Sequence, residues 1–441
     1  MPDNVVLLSL PGLAPQDLAH MPQVSALFAE GDRAPLAASF PAVTWPVQAN
    51  MLTGQLPVDH GVTANGFYWR DKKQVEMWTA GNEAILQPQI WDLLKQHNPE
   101  IRTSAWFPML SKRSGADYVC MPAPVHNPDG SETMWCYTKP SNLYGELLSE
   151  MGAGFPLHHF WGPLANIKST AWIADSAAFV AEKFQPHFSY IYLPHLDYAA
   201  QKLGPDSDAH KQAAAEVDEV IGKLIGRMRA ALGDDTLFLI ASEYVIVPVD
   251  HVSYPNRVLR DAGLLQVEVK EDGEHLDLEK SEAWALVDHQ FSHVYVKDAQ
   301  PEVISRVKEL FQGAEGVAEV LAMEERGKYF MNHERAGEVI LVSTPNSWQA
   351  YYWWNDDALA PGFARKVDIH KKPGYDPVEL HFDFATKSIP LDATLIKGSH
   401  GAPVAAEFQR GVLLANQKGV FAETPLADTD VCDIVLRQFG V

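Results

Sequence analysis

Four short runs of almost unbroken apolar residues punctuate the first 250 positions: VVLLSL (5–10), TSAWFP (103–108), FSYIYLP (188–194) and TLFLIAS (236–242). Strands that alternate apolar and polar residues bury one face, whereas continuous runs of this length bury both, so these predict parallel strands sandwiched between helices. Between the last two runs, Val217, Val220, Ile221, Leu224, Ile225 and Met228 recur at three- and four-residue steps behind the cap-like Asp206-Ser207-Asp208. That spacing predicts one amphipathic helix and hence a strand, helix, strand unit. The expected fold class is α/β, a mostly parallel central sheet flanked by helices.

From about residue 250 the pattern changes. VEVKEDGEHLDLEKSE is charged and rich in turn formers; HVYVKD, PEVISRVKELFQGAEG and VAEVLAMEER then give a smaller strand, helix, strand set. The division expected is a core over 1–249, an inserted α+β cap over 250–330 and a return to the core over 331–441. EVILVSTP and QAYYWW are read as strands of the main sheet, with Tyr351, Tyr352, Trp353 and Trp354 in its core. There is no internal repeat and no low-complexity linker.

Composition narrows the function classes. The chain has 441 residues, 46% of them apolar, enough for a large core. Thirty-five Lys and Arg against 57 Asp and Glu leave a net charge of −22, which repels nucleic-acid polymers and anionic lipid surfaces. An anionic substrate must then be drawn by a local positive centre. The early apolar run lacks a basic leader and is too short to span a bilayer. Cys120, Cys136 and Cys432 are few, odd in number and scattered, as suits free thiols in a reducing compartment. A cytoplasmic protein is expected.

In open α/β sheets ligands gather beyond the carboxyl ends of the strands. The segments there are Pro11-Gly12-Leu13, Pro194-His195-Leu196-Asp197-Tyr198 and Ser242-Glu243-Tyr244. In PAVTWPVQANMLTG, Thr44 heads a helix whose Pro46 falls in the first turn, where a missing N–H is harmless. Free N–H groups at such a helix start make an anion site, so a phosphoryl group is expected on the Thr44 hydroxyl.

Residues 41–68, PAVTWPVQANMLTGQLPVDHGVTANGFY, resemble the nucleophile segment of the type I phosphodiesterase and nucleotide pyrophosphatase branch of the alkaline phosphatase superfamily. The Asn that binds a phosphate oxygen in that family falls at Asn65. DYAAQK with GPDS (197–207) and KGSHG (397–401) are similar to two further family segments, and the three occur in the family's order. The resemblance implies two divalent metals, usually zinc, activating a Thr for in-line attack and a covalent phospho-enzyme.

The metal positions are altered. At the first, Asp197 and His400 are kept, but Gln201 replaces a His. At the second, Pro11 stands for an Asp, and Glu243 and Tyr244 stand for an Asp-His pair. Pro has no donor, an amide oxygen is a weak zinc ligand, and a phenol near pKa ~10 is a poor one. The remaining set, Asp197, Glu243, His400 and Gln201 beside Thr44, is oxygen-rich with one imidazole and suits a single Mg²⁺ or Mn²⁺ as well as Zn²⁺. His195, Asp368 and His370 are weaker candidates, and Asp288-His289 with His293 form another compact group. The expected function is a metal-dependent hydrolase of a small phosphodiester, phosphomonoester or phosphonate. Thr44 would attack, and Asn65 would hold the oxyanion. The alternative is a non-catalytic relative that binds a ligand or a protein partner with the same fold.

Overall fold

The computed structural model describes residues 4–126, 132–421 and 424–441. The apolar runs of the sequence form the middle of a nine-stranded sheet. In chain order its strands are β1 (Val5–Leu10), β2 (Arg33–Ala37), β3 (Thr103–Trp106), β4 (Tyr118–Pro122), β5 (Cys136–Lys139), β6 (Phe188–Tyr192), β7 (Leu237–Ser242), β8 (Gly411–Ala415) and β9 (Leu426–Ala427). Across the sheet they run β9-β2-β8-β7-β1-β6-β3-β4-β5. The five central strands, β7 to β4 in that order, are parallel, and antiparallel pairs flank them at β7–β8 and β4–β5. This is the mostly parallel sheet the continuous runs predict, because only a sheet covered by helices on both faces tolerates apolar residues at every position.

Four helices matter for the site: α1 (Thr44–Thr53), α2 (Ile167–Phe184), α3 (His195–Leu203) and α4 (Asp208–Leu232). The Ser207 side chain accepts from the His210 N–H and starts α4, whose Val217, Ile221, Leu224, Ile225 and Met228 are buried in the main core. β1, β6 and β7 lie side by side, so their carboxyl ends open on one edge. The loops that leave that edge carry Pro11, the start of α3, and Tyr244.

A second sheet of four strands pairs Ala283–Asp288, Phe291–Val296, Val339–Ser343 and Val317–Ala322 in that order. It corrects one expectation: EVILVSTP does not return to the main sheet but pairs with Phe291–Val296 in the second. Tyr351 to Trp354 also belong elsewhere, fully buried in the core beneath the second sheet, with no strand assigned to them. A buried apolar strand has the same pattern in whichever sheet it sits, so the sequence did not distinguish the two. The chain rejoins the main sheet at β8. Among the described residues no helix is long and apolar enough to cross a membrane, and Cys120, Cys136 and Cys432 are free and buried.

Candidate active site

Thr44 is the first residue of α1 and is 4% exposed. Its hydroxyl does not cap the helix; no side-chain cap is made there. Instead Thr44 Oγ1 lies 3.1 Å from the Tyr244 hydroxyl, which donates in turn to Asp197 Oδ1 at 3.4 Å. With Tyr244 donating to the carboxylate, Thr44 is left to donate to Tyr244. Three elements thus meet in a hydrogen-bonded chain: the start of α1, the first turn of α3 and the loop after β7.

The Tyr244 ring is stacked flat on His400, with centroids 3.6 Å apart and planes at 6°. His289 lies against His400 at 3.9 Å with the planes tilted by 43°, and stacks in turn on Tyr375 at 3.6 Å. The Tyr375 hydroxyl donates to the Gln201 carboxamide oxygen at 2.8 Å. His400 Nδ1 donates to the Ala42 carbonyl at 2.8 Å, which fixes the tautomer and leaves Nε2 a bare acceptor. Among the described residues that buried nitrogen has no hydrogen-bond partner, and it lies 3.8 Å from Asp197 Oδ1. Burial pushes the Asp197 carboxyl up to about 7, against the opposing pull of the Gln201 amide and the Tyr244 hydroxyl. Burial also holds His400 and His289 well below the ordinary imidazole value, so both are neutral at neutral pH.

Asn65 sits on the other side of Thr44. Its carboxamide oxygen accepts the Trp45 N–H at 2.9 Å, and its amide donates to Asp288 Oδ1 at 3.1 Å. The expected anion site at the helix start is therefore narrower than the sequence suggested. The Trp45 N–H is already taken, and Pro46 has none. Asp288 also lies 2.5 Å from His289 Nδ1, so Asn65 is tied to the four-ring stack.

Several expected ligands are turned to other work. Glu243 Oε1 accepts from Ser9 at 2.6 Å and from Gln48 at 2.8 Å, beneath the site between β1 and α1. Burial pushes its carboxyl up to about 8, so it carries a proton at neutral pH. His195 Nε2 pairs with Glu216 at 2.8 Å. Asp368 pairs with Lys371, and His370 Nδ1 lies 3.4 Å from the Met77 carbonyl. His293 is held between the Thr63 carbonyl and the Gly337 N–H. Thr44, Asn65, Asp197, Gln201 and His400 are brought together; Glu243, His195, Asp368 and His370 are not part of their network.

The metal that the resemblance implies can be tested against these contacts. Among the described residues no group of three or more His, Cys, Asp or Glu is placed to hold an ion. The Tyr244 hydroxyl bridges Thr44 and Asp197, and burial raises its pKa far above the ordinary phenol value, so it stays protonated and neutral. Gln201 accepts from Tyr375, and Pro11 offers no donor. The residues present do not fit a two-metal centre. Tyr375 and His289, both missed as site residues by the resemblance, supply rings to the stack beside Tyr244 and His400. Of the two, only His289 stood out in the sequence, in the compact group with Asp288 and His293; Tyr375 lies five residues beyond His370 in a segment rich in turn formers.

A pocket of about 60 Å³ opens against Thr44 and Asp197, walled mainly by aromatic rings that include Trp78, Trp161 and Tyr375. Among the described residues no Lys or Arg lines it.

A family model described as type I phosphodiesterase / nucleotide pyrophosphatase matches residues 5–376. No curated protein matches the chain significantly. Among solved structures, phosphonoacetate hydrolase from Sinorhizobium meliloti 1021, in complex with phosphonoformate, superposes with a TM-score of 0.64 at 15% identity, covering 99% of this chain and 96% of that one. Murine ectonucleotide pyrophosphatase / phosphodiesterase 5 gives 0.64 at 15%, covering 99% and 95%. An inactive form of the same murine protein in complex with AMP gives 0.64 at 15%, covering 100% and 95%. At that identity the likeness shows a shared fold.

Proposed function

The chain belongs to the type I phosphodiesterase / nucleotide pyrophosphatase family, and from that membership we propose that it hydrolyses a phosphoester or phosphonate ester of a small metabolite, with Thr44 as the attacking group. Family membership suggests a divalent metal, but the donors here do not fit one, so the reading relies on the chain's own groups. The observation that carries it is the chain of hydroxyls from Thr44 through Tyr244 to Asp197. A carboxylate with a pKa near neutrality is well matched to receive a proton at that pH. As the Oγ–phosphorus bond forms and the ester P–O bond breaks, the threonyl proton passes to Tyr244 and the tyrosyl proton to Asp197. The leaving oxygen takes its proton from water. Water then cleaves the phospho-threonine, and the two relay protons return.

Electrostatics limits the substrate. With no Lys or Arg lining the pocket and Asp197 at its floor, a dianionic monoester is opposed by like charge. A monoanionic diester or phosphonate ester is opposed less. The phosphonoformate and AMP bound by the structural neighbours support a small phosphorus-containing ligand and do not bear on its esterification.

A second reading is favoured by the closed geometry. The pocket at Thr44 holds only about 60 Å³, and Thr44, Tyr244 and Asp197 already satisfy one another. A non-catalytic relative that binds its ligand without turning it over would look like this.

Steady-state hydrolysis of bis(para-nitrophenyl) phosphate, with and without EDTA, separates the two. Turnover by the wild type that survives EDTA and is abolished in Thr44→Ala supports the hydrolase. Turnover that is equal in wild type and Thr44→Ala removes Thr44 from the chemistry, and no turnover by the wild type favours the binding protein.

A further inference from the structure

Trp161, whose Nε1–H donates to Glu379 at 2.6 Å, is a wall shared by two spaces. On one side lies the Thr44 pocket; on the other opens a groove of about 670 Å³. The inner pocket has room for little more than a reacting group, whereas the groove is of the size that takes an organic ligand.

The groove combines two properties that seldom occur together. Its bed is apolar, and Phe384 and Leu164 there are 86% and 62% exposed, which costs hydration free energy unless something covers them. Around that bed stand Lys202, Arg365, Lys366 and Lys387, and among the described residues no Asp or Glu lines the space. In a chain with 57 acidic and 35 basic residues, cations ordinarily find carboxylates. The neighbouring Lys371 and Lys372 do, with Asp368 and with Asp376 and Glu379. Among the described residues none of the four groove cations makes such a pair; Arg365 donates only to the main-chain carbonyl of Asp357. His381, close by, is pushed down to about 4 by burial and by the charges of Lys202 and Lys397, in keeping with a positive field at this face.

We propose that the groove holds the remainder of the substrate, and that this remainder is an anionic amphiphile: an aliphatic or ring-built body carrying a carboxylate, sulfate or second phosphate. An uncharged apolar molecule would not need the cations, and a small hydrated anion would leave the apolar bed bare. Only a molecule with both parts uses both features, and Trp161, which lines both spaces, sets the groove next to the Thr44 pocket. Calling it substrate rests on the hydrolase reading; the selectivity of the groove does not.

Two measurements on the full chain keep these apart. In a fluorescence titration, dansyl-aminoundecanoic acid binds the wild type about ten-fold tighter than its methyl ester, and Lys366→Glu with Lys387→Glu removes that preference while leaving ester binding and Tm unchanged. Phe384→Ser weakens acid and ester together. Equal affinity for acid and ester, a charge-reversed variant that binds the acid like wild type, or binding to phosphatidylglycerol vesicles without binding of the monomeric probe each overturn the proposal. In the second measurement, para-nitrophenyl ω-carboxyundecyl phosphate has a KM about ten-fold below that of its carboxyl methyl ester, and the charge reversal erases the difference. Equal KM values in the wild type also overturn it. Acid-selective probe binding with neither diester hydrolysed leaves the groove standing and removes the Thr44 chemistry instead.

Discussion

Tyr244 decides how the site differs from a two-metal centre. Where the family resemblance places an imidazole, this chain places a phenol, and the phenol is both a space-filling ring on His400 and a hydrogen-bond bridge from Thr44 to Asp197. A metal ion would supply positive charge between those groups; the phenol supplies only a transferable proton. Tyr244→Phe keeps the ring and its stacking but removes the bridge, leaving Thr44 without a proton acceptor. Since a positioned acid or base typically contributes about 10²–10⁴ in rate, diester hydrolysis falls by at least about 10² while Tm moves little. A Tyr244→Phe enzyme with wild-type kcat, alongside an inactive Thr44→Ala, would show that the proton leaves Thr44 by another route.

At the scale of elements, Asn65 fastens α1 to the second sheet. Its oxygen takes the Trp45 N–H in the first turn of α1, while its amide and main-chain N–H both donate to Asp288 at the end of a second-sheet strand. Asn65→Ala leaves a buried N–H without an acceptor and a buried carboxylate short of a donor, at a cost of roughly 2–4 kcal/mol. The urea midpoint falls accordingly at constant m-value; a loss under about 0.5 kcal/mol would mean that water replaces both bonds. The same level shows what the sequence could and could not disclose. β1, β3, β6 and β7 were legible because a strand buried on both faces must be apolar throughout, and α4 because its apolar period matches one helical face. The grouping of Thr44, Asn65, Asp197 and His400 was an expectation of the family resemblance of their segments, and the side chains do converge. The turn of Glu243 away from that group, toward Ser9 and Gln48, was not, since neighbouring residues in a loop do not encode which way a side chain points. Nor was the stacking of His289 and Tyr375, which residues far apart in the chain create only when the second sheet docks.

For the whole molecule, the buried carboxyls set how stability depends on pH. Burial is the leading cause in each case: Asp288 is raised to about 6, Asp197 to about 7 and Glu243 to about 8. An acid whose folded pKa exceeds its unfolded value binds more protons in the native state, so its contribution to stability is lost as pH climbs from the unfolded value to the folded one. The buried histidines act oppositely. His60 is lowered to about 3 and His293 to about 4, again mainly by burial, and the unfolded chain therefore takes up their protons as pH drops below 6.5. The two sets oppose each other between about pH 4 and 7.5, but above about 7.5 the histidines are neutral in both states and the raised carboxyls dominate. Stability should then fall between about pH 7.5 and 8.5, with Glu243 the largest contributor at the alkaline end, each pKa unit amounting to about 1.4 kcal/mol. Glu243→Gln keeps an oxygen for Ser9 and Gln48 and removes the ionisation. Its unfolding free energy should be close to that of the wild type at pH 5 and exceed it at pH 8.5 by an amount on the order of 4 kcal/mol. Parallel stability curves for the two proteins across that range would mean that Glu243 ionises in the folded chain at an ordinary pH, and that water reaches the space beneath Thr44.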